Sequence, residues 1–223
     1  MARTKELTIS VPGGEVAATL EGPPDSRTML VLAPGAGAPR QHPFMVEVAA
    51  KLAERGFRIV RFDFLYAMAG RKAPDRQPVL EETYRAVADH LREAERPQRF
   101  LIGGKSMGGR IASTIAAGSN PLDVDGLVFL GYPLHPPGRP ERIRDVHLYE
   151  VKAPMLFVEG TRDPFCPLDT LDAVLVKVKA PSTLAVIDDG DHSFKVRKSS
   201  GRSSAEALDE VVLAVARWIE GSG

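Results

Sequence analysis

Gly104-Lys105-Ser106-Met107-Gly108 follows a strand-like run, Phe100-Leu101-Ile102-Gly103, and precedes a helix-like one. A serine hydroxyl is a weak nucleophile unless a base reaches it and backbone amides hold the oxyanion it creates. A sharp strand-to-helix turn exposes it to both. Such an elbow needs glycines where a side chain would block close backbone approach, and Gly104, Gly108 and Gly109 stand there. The letters Gly104-Lys105-Ser106 also end a phosphate-binding P-loop. That motif needs a glycine five positions earlier, where Arg99 stands, and a loop where this chain has a strand. The spacing rejects nucleotide binding, and Lys105 reads as a side chain packed or hydrogen-bonded beside the elbow rather than as a base.

Five histidines compete for the role of proton acceptor. His192 lies in Asp188-Asp189-Gly190-Asp191-His192-Ser193-Phe194, a turn-rich loop just past the last expected strand, and is the favoured general base. His90 falls within a helical pattern and His147 suits local packing. His42 and His135 lie in loops near strand ends and, with Tyr132, are the candidates to line a substrate pocket, although a satisfied or solvent-facing histidine suits both loops as well. A carboxylate must fix the tautomer of the base. Asp163, in Gly160-Thr161-Arg162-Asp163-Pro164, follows a strand and is the first choice, ahead of Asp63 and Glu159 at other strand ends; a plain helix-initiating turn is the competing reading. The chain order Ser106, Asp163, His192 is the one expected when an elbow serine works from an α/β sheet. For the oxyanion, Met107 supplies one backbone donor. The second is expected from Pro34-Gly35-Ala36-Gly37-Ala38, with Ala36 favoured and Gly37 next.

These residues must be positioned by a regular frame. Leu7 to Val11 and Val16 to Leu20, split by Pro12-Gly13-Gly14, read as an opening hairpin. Strands are expected at Met29 to Ala33, Arg58 to Phe62, Phe100 to Gly103, Val124 to Leu130, Met155 to Gly160 and Leu184 to Ile187. Apolar residues at helical spacing lie between them: Phe44, Val48 and Leu52, ending at Gly56; Leu80, Tyr84, Val87 and Leu91; Met107 to Ala117; Leu168, Leu171 and Leu175; and finally Leu208, Val211, Val215 and Trp218. An antiparallel start followed by repeated strand-helix units predicts an α/β fold, a mostly parallel central sheet with an antiparallel N-terminal edge and helices on both faces. The loops Tyr66 to Pro78 and Tyr132 to Pro140 follow strand ends and are expected to wall the site. Only Tyr132 to Ala153 separates two core strands where a lid would be inserted, so the expected cap is minimal or absent and the substrate small.

Composition bounds the function. A chain of 223 residues with 43% apolar content reads as one domain, 1–223, with no repeat or linker. Lys plus Arg and Asp plus Glu are both 29, so no overall field favours nucleic acid or an anionic membrane surface. The single cysteine, Cys166, excludes an internal disulfide and a Cys-rich zinc site, and a cytoplasmic protein without export signal is expected. Lys195, Arg197, Lys198 and Arg202 read as a solvated basic loop rather than a binding patch.

The elbow, Gly160-x-x-Asp163 and Asp191-His192 together resemble the α/β-hydrolase superfamily over nearly the whole chain, with dienelactone-hydrolase-like compactness. Pro34-Gly35-Ala36-Gly37, Gly104-Lys105-Ser106-Met107-Gly108-Gly109-Arg110, Tyr132-Pro133-Leu134-His135-Pro136 and Gly160-Thr161-Arg162-Asp163 are similar to a subgroup that includes testis-expressed and NSL-complex-subunit hydrolase-like proteins. The resemblance implies that fold and a Ser106-Asp163-His192 triad but settles no substrate; the mechanism expected of such a triad is acyl transfer on small esters or thioesters, with no metal or organic cofactor required. A non-catalytic interaction module on the same scaffold is the alternative. The oxyanion loop begins Pro34-Gly35, where esterases commonly have His-Gly, so its anchoring must differ.

Overall fold

The computed structural model describes residues 3–221. Its centre is an eight-stranded sheet in the order β1-β2-β4-β3-β5-β6-β7-β8. β1 (Arg3–Val11) and β2 (Gly14–Gly22) form the expected hairpin, and β2 also runs antiparallel to β4 (Arg58–Phe62). β3 (Thr28–Ala33), β5 (Arg99–Lys105), β6 (Gly126–Leu130), β7 (Met155–Gly160) and β8 (Ser182–Ile187) join β4 in parallel.

The central strands are buried on both faces, and the period of two sorts their side chains into two cores. Met29, Val31, Phe100, Ile102, Phe129 and Phe157 point to one; Leu30, Leu32, Leu101, Val128 and Leu156 point to the other. The first core is covered by α3 (Gln77–Glu95), α4 (Met107–Ile115) and α5 (Leu168–Leu175), through Tyr84, Ile111 and Leu171 among others. The second is covered by α1 (Pro43–Glu54) and α6 (Ser204–Gly221), through Val48, Leu52, Val211 and Val215. Gly56, at φ 94°, ends α1 as its position predicts.

All eight expected strands and all five expected helices are present, with shifted ends. The strand expected from Val124 begins at Gly126, and the helix expected to reach Ala117 stops at Ile115, whose carbonyl accepts from the Leu122 amide at 2.7 Å. The Tyr66–Pro78 segment, read as a loop, is entered through a short helix, α2 (Leu65–Met68). Between β6 and β7 the described chain holds a proline-rich loop and one 3-10 turn, Val146–Tyr149, and no lid helix. Among the described residues no helix inserted there covers the carboxyl ends of the central strands.

Close backbone approach builds the elbow. A Cβ on Gly108 would stand 2.2 Å from the Ala33 carbonyl oxygen, and one on Gly104 would stand 2.3 Å from the same atom. Any side chain there would push α4 away from β3 and move the turn between them.

Candidate active site

Ser106 sits at the junction of β5 and α4 with φ 51° and ψ −115°, a conformation that L-residues adopt at a cost of about 1–2 kcal/mol. The surrounding ladder enforces it: the Ser106 amide donates to the Leu130 carbonyl at 3.1 Å, and the Ser106 carbonyl accepts from the Arg110 amide at 3.1 Å. The hydroxyl is thereby lifted clear of the helix. Its Oγ lies 2.9 Å from His192 Nε2, and His192 Nδ1 lies 2.6 Å from Asp163 Oδ2. A carboxylate oxygen only accepts, so Nδ1 carries the proton and Nε2 presents its lone pair to Ser106. That tautomer is the one able to take a proton from the serine.

Asp163 is buried in the turn after β7, where its second oxygen accepts from the Phe165 amide at 2.8 Å. The aspartate-rich turn after β8 carries His192 and is built by its own carboxylates. Asp191 Oδ1 accepts from the Ser193 and Lys195 amides, and Asp189 binds the Arg197 amide and pairs with Arg162 and Arg197. Those charges brace the loop and leave Asp163 as the carboxylate that faces the imidazole. Asp63, the weaker rival, is engaged by the amide and guanidinium of Arg40, and Glu159 accepts from the Tyr132 amide at 2.5 Å.

Met107 is the first residue of α4, so its amide has no partner within the helix, and the residue borders the cleft beside Ser106. In the loop after β3, the Gly37 amide is already committed, donating to the Tyr66 hydroxyl at 3.2 Å. With its amide taken, Gly37 is not a free donor for the cleft, and Ala36 borders the cleft on both sides of Ser106. The Tyr66 hydroxyl also reaches the Gly35 carbonyl at 3.4 Å, and Arg40, held by Asp63, ties down the far end of the loop. These contacts anchor a loop that begins Pro34-Gly35 without a histidine.

Two lobes open on either side of Ser106. One, of about 350 Å³, is lined by Ala38, His42, Phe44, Met45 and Lys105; the other, of about 240 Å³, by Pro133, His135, Arg110 and Arg144. Ala36, Pro137 and Phe165 border both. His42 and His135 thus occupy the expected walls. Tyr132 does not: its ring packs fully buried against Phe129 and Phe157, and its hydroxyl meets Ser113 Oγ and His147 Nε2, both at 2.9 Å. The proline that follows turns the chain outward only after Tyr132, so the phenol falls on the core side. Burial in that network pulls the His147 pKa down to about 4, which fits a packing histidine.

The profile of the alpha/beta hydrolase domain family matches residues 26–220. The chain belongs to the alpha/beta hydrolase family. Among solved structures, this hydrolase-family chain superimposes on a lidless α/β serine hydrolase from Xanthomonas campestris with a TM-score of 0.76 at 20% identity, over 97% of this chain and 95% of that one. Dienelactone hydrolase from Anabaena variabilis gives 0.76 at 22% identity, over 99% and 98%. Est1E from Butyrivibrio proteoclasticus gives 0.76 at 17%, over 97% and 98%. At such identities the likeness carries the fold, dienelactone-hydrolase-like and without a cap.

Several residues of this alpha/beta hydrolase site lie outside any motif. Tyr66 reaches the oxyanion loop across 29 residues. Phe44 and Phe165 wall the cleft from α1 and from the turn after Asp163, and Phe165 stacks edge-on against His192 at 4.7 Å between ring centroids. Arg110 was visible as the end of the elbow run, and its helical spacing of four from Ser106 could have placed it on the same face. Arg144 has no such signal.

Proposed function

We propose that the protein is a serine hydrolase that cleaves small carboxylic esters or thioesters through an acyl-enzyme. The observation that carries this reading is the unbroken relay from Ser106 Oγ through His192 to Asp163, at 2.9 and 2.6 Å. As Ser106 Oγ attacks the carbonyl carbon, His192 Nε2 takes its proton. Asp163 holds the ring and offsets the imidazolium charge, and the Met107 and Ala36 amides receive the oxyanion. The imidazolium then protonates the leaving alkoxide or thiolate. Water attacks the acyl-enzyme with the same base, releasing the acid and restoring Ser106. None of these steps calls on a metal or organic cofactor.

A fluorophosphonate probe tests this directly: it is expected to label Ser106 in the wild type and to leave Ser106→Ala unlabelled. A well-folded wild type that takes no label would sink the reading. The anchoring of the oxyanion loop makes a second expectation. Tyr66→Phe deprives the Gly37 amide of its partner and frees the loop, and is expected to lower kcat by roughly 10-fold, the scale of one lost hydrogen bond at a buried site, with KM little changed. Steady-state kinetics on a p-nitrophenyl ester reads this, and an unchanged kcat would exclude Ala36 as a donor held by that loop.

The two lobes suit a substrate with a short acyl and a short leaving group. The smaller lobe has a bias in charge. Neither Arg110 nor Arg144 makes an ion pair among the described residues; Arg110 donates to Gln77 Oε1 at 3.1 Å, with Glu81 behind that amide. Burial chiefly, and the neighbouring Arg144 in part, hold the Arg110 pKa below its usual value, as expected of a desolvated cation lacking a counter-ion. A substrate carrying a carboxylate a few bonds from the scissile carbonyl would supply one. Half-esters of short dicarboxylic acids are therefore expected to be cleaved in preference to their neutral diesters. Arg110→Met should erase about 10-fold or more of that preference, the value of a charge-assisted hydrogen bond, while sparing neutral esters. Equal selectivity in wild type and variant would remove the acidic substrate.

A further inference from the structure

Lys105 and Glu159 are ionisable groups that the acyl-transfer scheme does not use; Glu159 is buried, and Lys105 is part-buried at the wall of the larger lobe. Lys105 closes β5 immediately before Ser106, and its side chain reaches the histidine loop. There its ammonium donates to the His192 backbone carbonyl at 2.5 Å, across 87 residues of sequence. The space is prepared for it. A Cβ on Gly131, whose φ of 67° favours glycine, would stand 2.6 Å from Lys105 Nζ and 3.1 Å from the His192 carbonyl oxygen, so a side chain there would press on this contact. The rings of Phe194 and Phe44 flank the ammonium at 5.5 and 6.0 Å from their centroids, within cation–π range.

The groups facing the ammonium are Asp163 and Glu159 at the end of β7 and Asp191 in the His192 loop, besides His192 itself. Glu159 is wholly buried; one oxygen accepts from the Tyr132 amide and the other has no hydrogen-bond partner. Burial, with Asp163 adding to it, drives the Glu159 pKa well above the usual carboxylate value.

We propose that Lys105 is a positioning residue for His192: its ammonium pins the backbone of the histidine loop so that the imidazole stays between Asp163 and Ser106. The inference rests on the hydrolase reading for its kinetic consequences, but the geometry it explains does not. His192 has no regular element to hold it, lying in a turn between β8 and α6, and the lysine is a charged tether reaching its main chain from the strand that carries the nucleophile. Burial lowers the Lys105 pKa to about 8, against the pull of the nearby carboxylates. The tether is therefore charged below about pH 8 and becomes a weaker, neutral donor above it.

The test combines kinetics with proton NMR on the intact chain. Lys105→Met keeps the stem length and removes the ammonium; it is expected to lower kcat about 10- to 100-fold with KM within about 2-fold, the scale of one charged hydrogen bond. In the wild type, kcat should fall as pH rises through about 8, and this limb should vanish in Lys105→Met and move beyond pH 9 in Lys105→Arg, which stays charged. A merely structural lysine would alter thermal stability but neither kcat of the folded fraction nor the pH limb. Independently of turnover, the downfield Nδ1 proton of His192, shared with Asp163, should be sharp in wild type and in Ser106→Ala and broadened by exchange in Lys105→Met. A folded Lys105→Met with wild-type kcat, wild-type pH limb and an unbroadened Nδ1 proton would overturn the proposal. Unlabelled Ser106 with a Lys105-dependent Nδ1 proton would instead remove the hydrolase reading and leave the tether standing.

Discussion

Replacing Ser106 by alanine is expected to lower kcat on an ester substrate by about 10⁴- to 10⁶-fold, and replacing His192 by alanine to cost nearly as much. The two losses should not multiply. Once the hydroxyl is gone the imidazole has no proton to take, and once the imidazole is gone the hydroxyl is an ordinary alcohol. The double variant should therefore match the worse single one, with only the residual contribution of substrate binding and the Met107 and Ala36 amides. Single-turnover measurements with a p-nitrophenyl ester would check this, alongside thermal unfolding to show that all three variants remain folded. Neither side chain carries the core, so the unfolding midpoints should stay close to the wild type; Ser106→Ala keeps a Cβ and loses only the hydroxyl. Multiplicative losses would mean that Ser106 and His192 act in separate steps, and the relay would have to be redrawn.

The relay was legible because its three residues sit where general rules place them. Each follows a strand whose apolar run is short and unmistakable, and carboxyl ends of parallel strands gather on one side of a sheet. What escaped the sequence depends on side-chain direction in irregular segments. Tyr132 follows the β6 strand closely enough to be expected in the cleft, yet its ring falls inward, where Ser113 and His147 satisfy its hydroxyl. Gly37 and Ala36 were separable only by knowing that Tyr66, from a four-residue helix with no periodicity to betray it, claims one of the two amides. The basic run after His192 reads as solvated charge, while in the fold Arg197 and Arg202 pair with Asp189 and Glu210 and stiffen the loop. Lys105 was placed correctly beside the elbow, but nothing in its neighbours reveals a partner 87 residues away.

Asp163→Asn should be the more instructive loss, because it changes almost nothing in shape. The carboxamide fits the same buried turn and its oxygen can still accept from the Phe165 amide, which at 2.8 Å is the contact that fixes the side chain. With that oxygen committed, the amide nitrogen takes the place of Oδ2 and faces His192 Nδ1 as a donor. Two donors cannot share a hydrogen bond, so the ring must move its proton to Nε2, and Nε2–H then points at Ser106 with no lone pair to receive the serine proton. A loss of about 10⁴-fold in kcat is expected, equivalent to about 5.5 kcal/mol of transition-state stabilisation, with KM little altered. Asp163→Ala removes the wrong donor along with the right acceptor, and leaves the imidazole unoriented but free to adopt either tautomer. It should therefore be no worse than Asp163→Asn despite deleting more atoms. If Asp163→Asn retained a tenth or more of wild-type kcat, the tautomer would not depend on Asp163. The imidazole would then have to be oriented by its backbone tether to Lys105 alone.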